Sequence, residues 1–155
     1  MAEKPKLEFF CSASKSISKN YPGWKSHIPI LKIAGQKVLT TELPNITDMK
    51  LGIVFMGDEE LLELNKSALG HDYYTDILTF EIEHEDNHLE AEIYISLDRA
   101  KENALCYNVS LRNELAHLLI HGMLHLAGYS DKSPAAKKKM QKKEQEFLES
   151  IKKII

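Results

Sequence analysis

Three of the chain's histidines fall in one segment, Glu114-Leu-Ala-His117-Leu-Leu-Ile-His121-Gly-Met-Leu-His125-Leu-Ala-Gly128-Tyr-Ser-Asp131. His121 and His125 stand four apart, so on a helix both imidazoles project from one face, about a turn apart. Two nitrogens placed in that way can hold one metal ion at the ~2.0–2.1 Å typical of zinc. Gly128 can end the helix in the left-handed conformation and turn the chain back toward the same face. The residue returned is Asp131, and the spacing reads His-x3-His-x5-Asp. Leu118, Leu119, Ile120, Leu124 and Leu126 around the pair are apolar, and an unpaired imidazole in such surroundings is costly, which favours a metal. With three protein ligands a fourth position stays open, the mark of a catalytic rather than a structural zinc site. His117 lies one turn before His121 on the same face and suits a proton shuttle, a substrate contact or a support to the site. The expected site is therefore His121, His125 and Asp131 on the metal, with His121 and His117 as the catalytic side chains.

Two other metal chemistries share part of this pattern. Metzincin peptidases carry His-Glu-x-x-His-x-x-Gly-x-x-His, in which the glutamate is the general base. Here that position is Gly122, which cannot take a proton from water. Non-haem iron oxygenases use two histidines and a carboxylate, but on β-rich scaffolds and at other spacings.

Around the site, residues 6–11 (KLEFFC) read as a strand, and Tyr21-Pro22-Gly23 as a turn. Ile28, Leu31, Ala34, Val38 and Leu39 have helical spacing, which predicts a helix from about His27 to Glu42. Residues 50–56 predict a strand, and Asp58 to Ala68 a helix with its acids in the first turn. Apolar runs at 77–83 and 89–96 flank a polar segment and predict a hairpin. Beyond Leu97 the chain reads as three helices, the last opened by Ser133 as N-cap and Pro134 at its first position. Its stripe Ala136, Met140, Phe147, Ile151 predicts core contact.

The whole chain of 155 residues is 43% hydrophobic and 28% charged, which suits one soluble globular domain spanning 1–155. The longest apolar run, Leu115 to Leu126, contains His117, His121 and His125 and is too short for a membrane span. The start, MAEKPKLEFF, shows no secretory pattern. Cys11 and Cys106 are expected as free thiols in a reducing compartment, so a cytoplasmic location is expected. A net charge of −3 neither supports nor excludes a nucleic-acid partner. From Lys132 to Ile155 there are eight lysines against three glutamates, and Glu81 to Glu92 holds six acids and no lysine or arginine. Solvated faces explain both runs, and the basic one could also attract phosphate.

The segment HGMLHLAGY resembles the His-Gly-x-Leu-His-Leu-x-Gly-Tyr signature of the YbeY family of ribosomal-RNA maturation endoribonucleases. The resemblance extends over about residues 50–150. Asn65, Asp72 and Thr75-Asp76-Ile77-Leu78-Thr79-Phe80 are similar to the family's Asn…Asp-x-x-Thr-Asp-Val-Leu-Ser-Phe block. Ala91-Glu92-Ile93 is similar to its Gly-Asp-Ile strand, Glu114-Leu-Ala-His117-Leu to the lead into the metal helix, and Met140…Glu144…Phe147-Leu148 to its last helix. The resemblance implies an α+β fold, with a small mixed sheet of about four strands, helices packed on it and the metal helix near the centre. It also implies a zinc-dependent endoribonuclease that cuts single-stranded ribosomal RNA near the small-subunit 3′ end, with ribosome components as partners and no role for DNA or membrane.

Three departures bear on that expectation. The family's third ligand is a histidine, and the aligned residue here is Asp131, whose oxygen zinc also accepts. The arginine between the family's Asn and Asp falls on Leu69, removing a phosphate clamp. Gly-Asp has become Ala91-Glu92, which keeps the acid. Arg112 is the nearest cation to the motif within its own helix and would be asked to balance phosphate charge. With the clamp missing, a ribosome-assembly factor that binds without cutting, its metal mainly structural, is the alternative; a metzincin-like peptidase is the remoter one.

Overall fold

The computed structural model describes residues 3–155. In chain order the first elements are β1 (Lys6–Ala13), α1 (Lys15–Asn20), a 3-10 turn (Pro22–His27), α2 (Ile28–Glu42), β2 (Asp48–Met56) and α3 (Asp58–Leu69). Then come β3 (Ile77–Glu85), β4 (His88–Ser96), α4 (Leu97–Tyr107), α5 (Leu111–Leu126), α6 (Pro134–Ser150) and a closing 3-10 turn (Lys152–Ile154).

The sheet runs β1-β2-β4-β3, with β1, β2 and β4 parallel to one another and β3 antiparallel to β4. Alternation decides which face is covered. β2 buries Met49, Leu51, Ile53 and Phe55, and β4 buries Leu89, Ala91, Ile93 and Ile95. The register sets these opposite one another in order, so they form one apolar surface. Each such fully buried aliphatic or aromatic side chain contributes about 1.5–3 kcal/mol of transfer free energy.

Helices α2 and α5 close that surface, and their buried residues join the strands in one hydrophobic cluster. α5 packs against α2, α4, α6, β3 and β4, which makes it the central helix. Gly122 permits the close approach: a Cβ there would meet Thr79 Oγ1 at 2.8 Å and Ile93 Cδ1 at 3.0 Å. Three helices follow Ser96, and each has a serine N-cap, of which the sequence reading named only Ser133: Ser96 accepts from Arg99 N, Ser110 from Asn113 N and Ser133 from Ala136 N.

Some local features differ from the sequence reading. α1 was not expected; Ser14 caps it by accepting from Ile17 N, and Ile17 buries its one core contact. The hairpin strands pair further out than expected, by two residues to Glu85 and by one to His88, around an Asp86-Asn87 turn in which Asp86 takes φ +46. The acidic run on β3 is exposed from Glu81 to Asn87, a solvated edge as expected. Among the described residues no helix is long and apolar enough to cross a membrane.

Candidate metal centre

The C-terminal end of α5 carries the site. Gly128, with φ +99, stands just past the helix end. Gly128 N donates to His125 O at 3.0 Å and Tyr129 N to Leu124 O at 3.0 Å, the paired bonds of a Schellman motif. Tyr129 then secures the turn, its hydroxyl donating to Glu42 Oε1 at 2.5 Å on α2. That carboxylate, with burial adding to it, pushes the Tyr129 phenol up to about 12. The turn delivers Asp131 to the face that holds His121 and His125.

The tautomers follow from the partners. His121 Nδ1 lies 2.7 Å from Glu144 Oε2, and His125 Nδ1 lies 3.1 Å from the Tyr129 carbonyl. Neither a carboxylate nor a carbonyl can donate, so both Nδ1 atoms carry a proton, and in the neutral rings, the form that binds a metal, both Nε2 atoms present lone pairs. Those two Nε2 atoms are 3.0 Å apart. Asp131 Oδ2 lies 3.8 Å from His121 Nε2 and 3.5 Å from His125 Nε2. Lone pairs facing one another beside a carboxylate repel unless a cation sits among them. Ligands ~2.0–2.1 Å from a tetrahedral ion stand about 3.3 Å from each other, and the observed spacings bracket that value. His121, His125 and Asp131 form a group that could hold a metal ion.

His117 is placed differently. Its Nδ1 donates to Glu114 Oε1 at 3.2 Å and its Nε2 to Glu144 Oε1 at 2.7 Å. Hydrogen bonds to Glu114 and Glu144 outweigh burial and raise its pKa to about 9, so the ring is an imidazolium at neutral pH. Both ring nitrogens are thus committed to carboxylates, the placement of a support to the site, one of the roles the sequence left open. Glu144 links the two histidines. Burial pushes its carboxyl up, but the bonds from His117 and His121 prevail and hold it at about 2.

Four residues of this network were not read as site residues from sequence: Glu144, Glu114, Asn103 and Asp76. Glu144 and Glu114 are buried, and Asn103 Nδ2 bridges Asp76 Oδ2 at 3.1 Å and Glu114 Oε2 at 3.2 Å. Glu144 did leave a signal, as the one acid on the stripe Met140, Phe147, Ile151 that faces the core.

Two cavities flank the centre and share Asp76, His121 and Asp131. One, of about 590 Å³, continues along Thr75, Thr79 and Glu81 beside β3. The other, of about 370 Å³, opens between α4 and α6 beside Tyr107, Lys137 and Gln141. Arg112 borders neither. Nine residues before His121, it lies half a turn round the helix, its Nε is buried without a hydrogen-bond partner among the described residues, and its charge bears on His27. Lys137 of α6 lines the second cavity instead, beside the His117 imidazolium. Leu69 ends α3 with 45% of its surface exposed and also borders neither cavity. Asn65 is buried and donates to Tyr73 O at 3.0 Å, pinning the loop that leads to Thr75 and Asp76. Glu92 lies on the face of the sheet away from α5, where it accepts from the Tyr94 hydroxyl.

Comparison with known proteins agrees with this arrangement. The family model described as Endoribonuclease YbeY matches residues 27–152. A Cytophaga hutchinsonii protein named Endoribonuclease YbeY is 43% identical over 100 residues, covering 64% of this chain and 70% of the relative. One of the same name from Amoebophilus asiaticus is 33% identical over 123 residues, 76% of this chain and 84% of the relative. A Thermotoga maritima protein solved in solution superposes with a TM-score of 0.62 at 29% identity, covering 92% of this chain and 88% of that one. With a family match that takes in the sheet from β2 onward, the histidine helix and Glu144, the chain belongs to the YbeY family.

Proposed function

We propose that the chain is a metal-dependent endoribonuclease that cuts single-stranded ribosomal RNA during maturation of the small ribosomal subunit in the cytoplasm, with zinc as its metal. The observation that carries the reading is the pair of Nε2 lone pairs 3.0 Å apart beside Asp131. The endoribonuclease name shared by the relatives supplies the substrate class. His121, His125 and Asp131 would hold the ion. When bound, it supplies Lewis-acid activation of a phosphodiester and of the water that attacks it.

The chain's own residues do the rest. Glu144 and the Tyr129 carbonyl fix the two imidazoles in the Nε2-ligating tautomer and orientation. His117 is a positioning residue whose cationic ring holds Glu144 in place from the opposite side. Lys137 offers a positive charge to substrate phosphate, the part Leu69 cannot play. A peptidase would need a glutamate at position 122, where even a Cβ meets Thr79 Oγ1 at 2.8 Å.

The test is elemental analysis of the purified protein beside cleavage of single-stranded RNA, each repeated on His121→Ala. About one zinc per chain and metal-dependent cutting, both lost in the variant, are expected. Unchanged metal content in His121→Ala removes the metal site. Full metal content with no cutting of RNA, in cells whose small subunits still fail to assemble without the protein, selects the binding-factor reading.

A further inference from the structure

The two cavities beside the metal centre differ in chemistry. The lobe along β3 is lined by hydroxyls and acids, from Thr75, Thr79 and Glu81, and apart from the two ligand imidazoles it shows no lysine, arginine or aromatic side chain. The lobe between α4 and α6 has both a lysine and a tyrosine. Tyr107, 62% exposed, stands at its edge, Lys137 and Gln141 line it from α6, and Leu118 and Met140 give it an apolar floor. Lys137, Gln141 and Glu144 are spaced four and three apart, so one face of α6 presents the cation, the amide and the carboxylate that holds His121. Among the described residues, the Tyr107 hydroxyl, the Lys137 ammonium and the Gln141 amide have no hydrogen-bond or ion-pair partner. The cavity holds about 370 Å³, and its carboxylates, Asp76, Glu114, Asp131 and Glu144, belong to the metal centre and its hydrogen-bond network; the exposed ring, free cation and free amide beyond them match the parts of a nucleotide: a face to stack, a phosphate and a base edge.

We propose that this lobe is a nucleotide subsite, taking the nucleotide on one side of the scissile phosphate. Its base stacks on Tyr107, its phosphate meets Lys137, and Gln141 reaches the base edge. The proposal rests on the ribonuclease reading and deepens it. Strand recognition is one-sided, because only this lobe can grip a base. It also requires an unpaired base, since a base held in a duplex cannot turn its face to the tyrosine.

The experiment measures KM and kcat on short single-stranded RNAs in which one abasic nucleotide is moved stepwise past the cut. The proteins are the parent, Tyr107→Ala, Tyr107→Phe, Lys137→Gln and, as control, Leu105→Ala, whose side chain is exposed on the same helix and lines neither cavity. In the parent, the abasic nucleotide raises KM by roughly five- to a hundredfold at a single position next to the cut, the range that loss of one base stack gives. Tyr107→Ala raises KM on the intact strand by the same factor and becomes indifferent to that abasic position; Tyr107→Phe and Leu105→Ala behave as the parent. Lys137→Gln lowers the salt dependence of binding by about one phosphate contact. Tyr107 and Lys137 are exposed, and metal content equal to the parent's verifies that the centre is intact in each variant. A Tyr107→Ala enzyme with the parent's KM, or one that keeps the abasic penalty, overturns the subsite while leaving the ribonuclease reading standing. A parent that cuts no RNA overturns that reading and the subsite together.

Discussion

Glu144→Gln removes a negative charge from behind the metal centre while keeping the side chain's shape. In the parent, the carboxylate accepts at 2.7 Å from His117 Nε2 and at 2.7 Å from His121 Nδ1. A glutamine has one accepting oxygen and an amide that only donates, so it cannot serve both N–H groups. It can repair the network in one way: His117 releases its Nε2 proton and accepts from the amide, while the carbonyl accepts from His121. The His117 pKa, held at about 9 by Glu114 and Glu144, should therefore fall toward its ordinary value of 6.5. His121 keeps its tautomer but loses the carboxylate that raises the basicity of its ligating nitrogen. Losing such support behind a metal-ligating histidine costs about 10- to 100-fold in metal affinity, or roughly 1.4–2.7 kcal/mol. Competition against a chromophoric chelator measures the affinity, and imidazole NMR titration follows His117. Parental metal affinity together with a His117 that still titrates near 9 would refute the reasoning.

Asp131→Ala should weaken metal binding in the same chelator assay, while Asp131→His retains or tightens it, and binding by the parent should fall with pH as protons compete for the ligands. An alanine variant that binds as tightly as the parent would take Asp131 out of the ligand set. Gly122→Ala should lower urea stability by up to about 2 kcal/mol, since overpacking of ~1–3 kcal/mol against Thr79 and Ile93 exceeds the ~1 kcal/mol gained in helix propensity. A more stable alanine variant would mean that α5 is not seated so close to β3 and β4. In the metal-free protein, the His117–Glu144 pair contributes stability that is full below pH 6.5 and lost as pH rises through about 9, because the folded His117 binds its proton more tightly. On the acid side the same pair loses its contribution between pH 4.5 and about 2, where Glu144 takes a proton. Denaturation midpoints across pH should show both slopes, and Glu144→Gln should flatten them; identical profiles would rule the linkage out.

The metal helix was legible because everything that defines it is local. A four-residue spacing places His121 and His125 on one face, and a glycine in the left-handed region returns the chain within three further residues to Asp131. Capping by Ser133 and Pro134 is just as local. Arg112, expected to balance phosphate charge, could have been excluded on the same local ground: nine residues at a hundred degrees each carry it to the far side of the helix from His121. The alternation in β2 and β4 specified two half-buried strands, but their parallel pairing joins residues about forty positions apart, and no local pattern encodes which strands become neighbours. Glu144 shows the same limit. Its place on a buried helical stripe was visible in the sequence, and its task was not, because His121 and His117 lie 23 and 27 residues away on another helix. The charge state of His117 was decided there as well. Glu114, one turn before it, could be inferred as a partner, but the second carboxylate that commits both ring nitrogens arrives only when α6 packs on α5. Spacing along one helix sets which side chains share a face; burial and long-range contact set their protonation, their partners and so their chemistry.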